Sequence, residues 1–192
     1  MSLTAGVVAV QGDVSEHADA ITTAAENHGE SADVVEIRQS GIVPECDLLA
    51  IPGGESTTIS RLLHREGIAP EIQAHVADGK PILATCAGLI VCSSDAHDDR
   101  VETLDLLDVS VQRNAFGRQK DSFEAELDVT GLDEPFHAVF IRAPVIDEVG
   151  EAEVLASWDD RPVAVRDGPV LGTSFHPELT GDSRIHDLAF FE

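Results

Sequence analysis

The chain has 192 residues, of which 43% are hydrophobic and 25% charged, a composition typical of one globular domain with a sizeable core. Twelve lysine and arginine residues against 36 aspartate and glutamate residues give a formal net charge of −24, which disfavours partners such as nucleic acid or an anionic membrane. Every apolar run is shorter than the roughly 20 residues that cross a bilayer. Because the N-terminus also has no signal-peptide pattern, we expect a cytoplasmic protein.

The acidic residues are spread along the whole chain, and the only lysines are Lys80 and Lys120. An acidic tail would concentrate the charge at one end. Spread acidity instead favours a halophilic protein, because high salt screens the repulsion between like charges.

The first half of the chain alternates short apolar runs with helical patterns. Strands are predicted over residues 4–10, 32–37, 47–52 and 81–86, and helices over 14–28, 56–66, 70–78 and 87–94. Continuous apolar strands between helices indicate a mostly parallel sheet that is covered on both faces.

The second half is richer in strands. They are predicted over residues 108–113, 122–129, 137–142, 153–158 and 161–166, followed by a strand within 168–179 and a helix over 183–191. The predicted fold is therefore a three-layer α/β domain over residues 1–192, with a mostly parallel central sheet and an antiparallel extension. No linker or repeat divides the chain.

The three cysteines are Cys46, Cys86 and Cys92. An odd, small number in a chain without a signal peptide disfavours a disulfide framework. The histidines do not cluster with them as a structural zinc site requires, so we predict neither a metal nor a cofactor. A lone cysteine in an apolar setting is usually core, which is our interpretation of Cys46 and Cys92.

Cys86 differs because it ends a predicted strand and precedes Ala87 and Gly88, which open a predicted helix. This order is typical of a nucleophile elbow, where small neighbours permit a tight turn. At a helix N-terminus, backbone N–H groups and the helix dipole favour a thiolate. On its own, Cys-x-Gly is a weak signal and core packing would explain it.

Two further strand ends carry suitable chemistry. His176 could exchange a proton with a thiol, and Glu178, two residues on, could orient it. Gly53 and Gly54 follow another strand, and their N–H groups, with that of Ala87, could bind an oxyanion. Taken alone, the His176–Glu178 pair or the Gly53–Gly54 pair would be explained as an ordinary solvated loop. Because function collects at the carboxyl ends of strands in open α/β sheets, the three together favour acyl transfer.

The motifs also resemble a known family. A cysteine elbow with His-Pro-Glu resembles the class I glutamine amidotransferases, or triad glutaminases. Within that class, the chain is most similar to the glutaminase subunits of pyridoxal 5′-phosphate synthases. The matching motifs are VVAVQGDVSEH (7–17), IPGGESTTISRLL (51–63), ATCAGLIV (84–91), VQRNAFGRQKDSFE (111–124), VFIRAP (139–144) and TSFHPELTGD (173–182).

The resemblance implies that L-glutamine is hydrolysed to L-glutamate and ammonia, and that the ammonia passes through a tunnel to a synthase partner. The partner builds pyridoxal 5′-phosphate (vitamin B6) from a pentose phosphate and a triose phosphate. Carried over by position, the resemblance makes Cys86 the nucleophile, His176 the acid and base, and Glu178 its orienter. It places glutamine binding at Gly54, Glu55, Ser56, Arg113, Ile141 and Arg142. The charges suit a free amino acid, but the sequence leaves open which arginine meets the glutamine carboxylate.

One departure from the wider class is Ala84, which stands where glycine is usual two residues before the cysteine. Alanine is small enough for a strand end, so we expect an elbow of slightly different shape that keeps its activity. Other readings remain: a glutaminase serving histidine or purine biosynthesis, a non-catalytic regulatory subunit on the same fold, or a cysteine peptidase. The first would be expected to lack GGESTT and RNAFGRQ, and the second to lack a triad member.

Overall fold

The computed structural model describes residues 2–11, 14–113 and 122–192. The strands among these residues are β1 (Ser2–Val8), β2 (Ser31–Ile37), β3 (Leu48–Ile51), β4 (Ile82–Thr85), β5 (Ser93–Asp95), β6 (Leu107–Gln112), β7 (Ser122–Leu127), β8 (Phe136–Ile141), β9 (Val145–Val149), β10 (Glu153–Trp158), β11 (Arg161–Asp167) and β12 (Val170–Thr173). The helices are α1 (Ser15–Asn27), α2 (Ser56–Arg65), α3 (Ala69–Ala77), α4 (Ala87–Cys92) and α5 (Arg184–Phe190), with 3₁₀ turns at Val43–Glu45 and Pro177–Leu179. None of these helices is both long and apolar enough to cross a membrane.

A seven-stranded sheet forms the centre, in the order β10-β11-β12-β4-β3-β1-β2. The five strands from β12 to β2 are parallel, whereas β10 and β11 pair in antiparallel fashion at one edge. Every residue of β3, β4 and β12 is buried, which explains why these strands are apolar on both faces rather than alternating. The α/β fold with a mostly parallel sheet is confirmed.

The antiparallel extension is divided among three sheets. Of the five strands predicted between 108 and 166, only the last two join the central sheet. The other three lie in a β5-β6-β9 sheet and a β7-β8 hairpin. The prediction also missed β5 and β9. β5 is only Ser-Ser-Asp, and β9 is the five-residue segment Val-Ile-Asp-Glu-Val, whose β-branched residues are interrupted by Asp147 and Glu148.

The helices cover both faces of the sheet. On β3, Leu49 and Ile51 belong to a core shared with α2, α3 and α4, whereas Leu48 and Ala50 face Ile21 of α1. This alternation follows from the two-residue period of a strand. A third cluster packs α5 and the β7-β8 hairpin on the edge strands, with the aromatic rings of Phe136, Phe140 and Phe175 at its centre.

The topology places three chain segments at one edge of the sheet. Strands β3, β4 and β12 are neighbours and run in the same direction, so their carboxyl ends open side by side. Gly53 follows β3, Cys86 follows β4 and His176 follows β12.

Candidate active site

Cys86 lies at a sharp turn between β4 and α4. Its φ of 51° and ψ of −109° are rare for a residue with a side chain. The turn is held by its own N–H, which donates to the Thr173 carbonyl oxygen at 2.8 Å. Strained backbone that the surroundings enforce is typical of functional sites. The predicted elbow is therefore present in the backbone, and Ala84, fully buried in β4, does not prevent it.

Gly88 explains why the elbow needs a glycine after the nucleophile. A Cβ atom on Gly88 would lie 2.1 Å from the Ile51 carbonyl oxygen and 3.0 Å from its carbonyl carbon. Both are backbone atoms of β3, which have little freedom to move. The glycine thus allows the first turn of α4 to pack directly against the end of the neighbouring strand.

His176 and Glu178 form the pair that the sequence suggested. His176 Nδ1 lies 2.7 Å from Glu178 Oε1, and the Glu178 side chain is only 6% exposed. The His176 N–H donates to the Val139 carbonyl oxygen at 2.9 Å, which ties the histidine to β8. A 3₁₀ turn, Pro177–Leu179, follows the histidine and brings the carboxylate back to the imidazole.

The charges of the two groups support each other. Burial lowers the pKa of His176, but its interactions with Cys86 and Glu178 outweigh burial and raise that pKa to about 10. Burial raises the pKa of Glu178, but the His176 hydrogen bond and the nearby His17 lower it below its ordinary value. A protonated imidazole at this position can donate to the Glu178 carboxylate from one nitrogen and face Cys86 with the other.

A cleft of about 370 Å³ opens over Cys86. It brings together residues from five segments of the chain, which are Gly54, Glu55, Ser56, Cys86, Ala87, Ile90, Arg113, Ile141, Arg142 and His176. All of the predicted substrate-binding residues are among them. Ile90, one turn into α4, is an additional lining residue, and an isoleucine in an apolar run carries no functional signal by itself.

Glu55 begins α2 and organises the polar side of the cleft. Its carboxylate accepts hydrogen bonds from the N–H groups of Thr57 and Thr58, at 3.3 and 2.9 Å, and from both threonine hydroxyls. Burial opposes ionisation, but these bonds lower the pKa of Glu55 to about 2. A carboxylate at this position also suits the positive end of the helix dipole.

Arg113 reaches across to this helix end. Its Nη1 lies 2.8 Å from Glu55 Oε1 and 3.0 Å from Ser56 Oγ, while Nη2 lies 3.2 Å from Asp98 Oδ2. Asp98 is a neighbour that sequence reasoning missed, since an aspartate in an acidic loop gives no signal by itself. The rest of the RNAFGRQ motif, residues 114–119, lies outside the described residues.

Gly53 and Gly54 are close to the reacting side chains. A Cβ atom on Gly53 would lie 2.9 Å from His176 Cε1 and 3.4 Å from Cys86 Cβ. Gly54 has a φ of +148°, and Gln11 Oε1 lies 2.9 Å from where its Cβ would be. The Glu55 N–H donates to Gln11 Oε1 at 2.5 Å. Gln11 therefore holds the glycine loop, a role that its place after β1 did not reveal.

Ile141 and Arg142 form the opposite wall. The Cys86 thiol faces the Ile141 carbonyl oxygen at 3.9 Å, and Arg142 has a φ of 45°, in the left-handed region that non-glycine residues rarely adopt. The Ile141 side chain is 39% exposed. This wall thus presents backbone as well as side chains to the cleft.

The other two cysteines are fully buried. Burial raises the pKa of Cys46 to about 11 and that of Cys92 to about 12, so both thiols stay protonated at neutral pH. They lie in the hydrophobic core between the sheet and helices α2 to α4, whereas Cys86 lines the cleft.

Comparison with known proteins gives consistent results. Residues 7–192 match the profile of the SNO glutamine amidotransferase family. The pyridoxal 5′-phosphate synthase subunit PdxT of Haloarcula marismortui is 75% identical over 100% of this chain and 98% of its own length. PdxT of Methanothrix thermoacetophila is 54% identical over 95% of this chain and 96% of its own. The relatives include halophilic homologues, in agreement with the acidic composition.

Solved structures share the fold. A crystal structure described as a glutamine amidotransferase has a TM-score of 0.84 and 44% identity, covering 96% of each chain. The structure of PurLQS from Thermotoga maritima has a TM-score of 0.62 at 20% identity, over 96% of this chain and 92% of that one. The second likeness is one of fold alone.

Proposed function

Because this chain belongs to the SNO glutamine amidotransferase family, we propose that it is the glutaminase subunit of a pyridoxal 5′-phosphate synthase. It hydrolyses L-glutamine to L-glutamate and ammonia and delivers the ammonia to a synthase partner. The observation that carries this proposal is Cys86 on its elbow beside His176, whose Nδ1 is bonded to Glu178 at 2.7 Å. The identity to proteins named PdxT supports the choice of partner.

In the first half of the reaction, the Cys86 thiolate attacks the side-chain amide carbon of glutamine. The carbonyl oxygen becomes an oxyanion, and N–H groups of Gly53, Gly54 and Ala87 stabilise it. His176 gives its proton to the amide nitrogen, which leaves as ammonia while the glutamyl thioester remains on Cys86. Glu178 keeps the imidazole in the orientation that this transfer needs.

In the second half, water attacks the thioester carbon. His176, now neutral, takes a proton from the water, and the Cys86 thiolate leaves as the C–S bond breaks. Glutamate is released, and the thiolate and the imidazolium are restored. The protons balance without a metal or a cofactor, since cysteine chemistry of this type needs neither.

The amino-acid end of glutamine lies on the side of the cleft where Arg113 and Glu55 meet. An arginine recognises a carboxylate with two hydrogen bonds, and we assign that role to Arg113 because Ser56 and Asp98 hold its guanidinium at the cleft. Arg142 and the Ile141 backbone close the site from the opposite wall. Together these residues form the proposed binding site for the amino-acid end of glutamine.

Three further parts of the proposal concern the chain as a whole. It acts as a single glutamine amidotransferase domain over residues 1–192. It works in the cytoplasm. It is also a poor glutaminase alone and becomes active when the partner docks, because uncoupled hydrolysis would waste glutamine. The glycine pair next to the nucleophile provides a backbone mobile enough for such a switch.

The experiment is a glutaminase assay of the chain alone and with a saturating amount of synthase subunit, in molar potassium chloride. We expect kcat for glutamate release to rise at least tenfold with the partner, and pyridoxal 5′-phosphate to form from glutamine, pentose phosphate and triose phosphate. Equal kcat values would reject partner activation. Glutamine hydrolysis that yields no pyridoxal 5′-phosphate would favour the alternative of another ammonia acceptor, such as one in purine or histidine biosynthesis. The support for that alternative is a likeness of fold to PurLQS.

A further inference from the structure

The second oxygen of the Glu178 carboxylate has one close polar neighbour that the reaction described above does not use. Glu178 Oε2 is buried and makes no hydrogen bond of ordinary geometry among the described residues. It lies 3.5 Å from Nε2 of His17, a residue of α1 that is fully buried. Burying a carboxylate oxygen without a hydrogen-bond partner lowers the stability of the fold. The position of His17 Nε2 beside this oxygen therefore needs an explanation.

His17 is itself held from two sides. Its Nε2 lies 3.3 Å from the Thr85 hydroxyl, one residue before the nucleophile. Its Nδ1 lies 3.2 Å from Nε2 of His186, which is fully buried in α5. A row of neighbouring side chains therefore runs from Cys86 through His176 and Glu178 to His17 and His186.

The contacts decide where His17 carries a proton. A bare nitrogen at Nε2 would turn its lone pair toward the carboxylate oxygen, whereas an N–H there can donate to both Glu178 and Thr85. Burial and the neighbouring His17 lower the pKa of His186 well below 6.5, so His186 is neutral. It shares one hydrogen with His17 Nδ1 and fixes the plane of that ring.

We propose that His17 is a positioning residue of the glutaminase reaction, which donates from Nε2 to Glu178 Oε2 and so aims Oε1 of the same carboxylate at His176. His186 supports His17 from behind. The inference rests on the proposed function, because it assigns a role within that reaction. It differs from a packing role, in which His17 would merely join α1 to α5 through His186.

The two roles use different nitrogens of the same ring, so two substitutions separate them. In His17→Gln the side-chain amide reaches the position of Nε2 and can still donate to Glu178. In His17→Asn it reaches only the position of Nδ1 and keeps the His186 contact. Each variant is assayed for glutamine hydrolysis in the complex with the synthase subunit, and His75→Asn, at a buried histidine outside the site, serves as the control for a lost buried imidazole.

We expect His17→Asn to lower kcat by about tenfold, the scale of outer-shell partners that orient a reacting group, with KM unchanged. His17→Gln should keep a clearly higher kcat than His17→Asn. The control should keep the wild-type kcat. Activity of the wild-type complex tests the proposed function separately, because its absence would reject that function whatever the variants do.

The pH profile adds a measurement that a packing role would not change. The described titratable groups that face Glu178 are His176, His17 with His186 behind it, and Cys86 across the imidazole. His17 helps to hold the pKa of Glu178 below its ordinary value, so His17→Asn should let the carboxylate take up a proton at higher pH. The acid limb of kcat then moves to higher pH in His17→Asn, moves less in His17→Gln, which keeps the donor but not the charge, and stays in place in the control.

Opposite results would overturn the assignment. They are a kcat for His17→Asn that equals or exceeds that of His17→Gln, or an acid limb that is the same in all variants. If both His17 variants lost the fold while His75→Asn kept it, the packing role would be the correct one.

Discussion

Arg113 and Glu55 are joined across the mouth of the cleft, with Nη1 of the arginine 2.8 Å from Oε1 of the glutamate. Glu55 is also the N-cap of α2, so its carboxylate is fixed by the helix rather than by the arginine. A substrate carboxylate that binds Arg113 must therefore share the guanidinium with Glu55 or replace it. Glu55 and Ser56 thus hold the guanidinium of Arg113 at the cleft.

Substitution of Arg113 tests this arrangement. Arg113→Gln removes a charge-assisted contact worth about 2 kcal/mol, which corresponds to about a 30-fold increase in KM for glutamine, with a smaller change in kcat. Asp98→Asn, which loosens the guanidinium from the other side, should raise KM less. Steady-state kinetics measure both, with Arg38→Gln as a control at an exposed arginine paired with Glu36. An unchanged KM in Arg113→Gln would move the substrate carboxylate to Arg142.

The His176–Glu178 pair should make stability depend on pH. The pKa of His176 is raised from 6.5 to about 10, so the imidazolium stabilises the fold fully below about pH 6.5, and the effect fades as the pH rises through about 10. Glu178→Gln removes a part of it. We expect a lower melting temperature than wild type at pH 7 and a difference that shrinks toward pH 10.5. A difference that is constant or grows with pH would contradict the charged pair.

Gly88→Ala should damage both the fold and the elbow. The added methyl group meets the Ile51 carbonyl oxygen at 2.1 Å, and overpacking of this kind costs about 1–3 kcal/mol. Since α4 has to move and carries Cys86 with it, kcat should fall about 100-fold. Gly29→Ala is the control for backbone strain without a steric contact, because that glycine has a φ of +72° but nothing within 4 Å of its Cβ position, and it should keep the wild-type kcat. A wild-type kcat in Gly88→Ala as well would show that the contact is not tight.

Salt should stabilise this protein. The charge of −24 acts over a Debye length of about 30 Å at 0.01 M salt but about 3 Å at 1 M. Repulsion between acidic groups is relieved on unfolding, so dilute buffer favours the unfolded chain. Thermal melts in potassium chloride should give a melting temperature that rises from dilute to molar salt. A melting temperature that stays constant or falls as the salt concentration rises would contradict the interpretation that the acidic surface is an adaptation to high salt.

The parts of the fold that could be predicted are those with a strong local signal. Strands β3 and β4 are four residues long and buried at every position, with Thr85 as their one polar residue, and α2 begins and ends within one residue of the predicted bounds. Strands β5 and β9 could not be predicted, because both are short and their pairing with β6 is tertiary.

The candidate site divides in the same way. Cys86, His176 and Glu178 have chemistry that a sequence motif reveals, although their roles stay predictions. Gln11 and His17 have meaning only through contacts, since a glutamine after a strand and a histidine on an amphipathic helix are common. Their partners, Glu55 and Glu178, are 44 and 161 residues away along the chain, and only the fold brings them together.

The most direct test of the account replaces Cys86 and changes the nitrogen source. In a complex of the synthase subunit with Cys86→Ala, pyridoxal 5′-phosphate formation should be lost with glutamine but retained with an added ammonium salt, because only the glutaminase half is removed. Cys92→Ala, at a buried core thiol, should support both. Formation from glutamine by the Cys86→Ala complex at a tenth or more of the wild-type rate would contradict Cys86 as the nucleophile, and failure with both nitrogen sources would contradict the separation of ammonia release from its use.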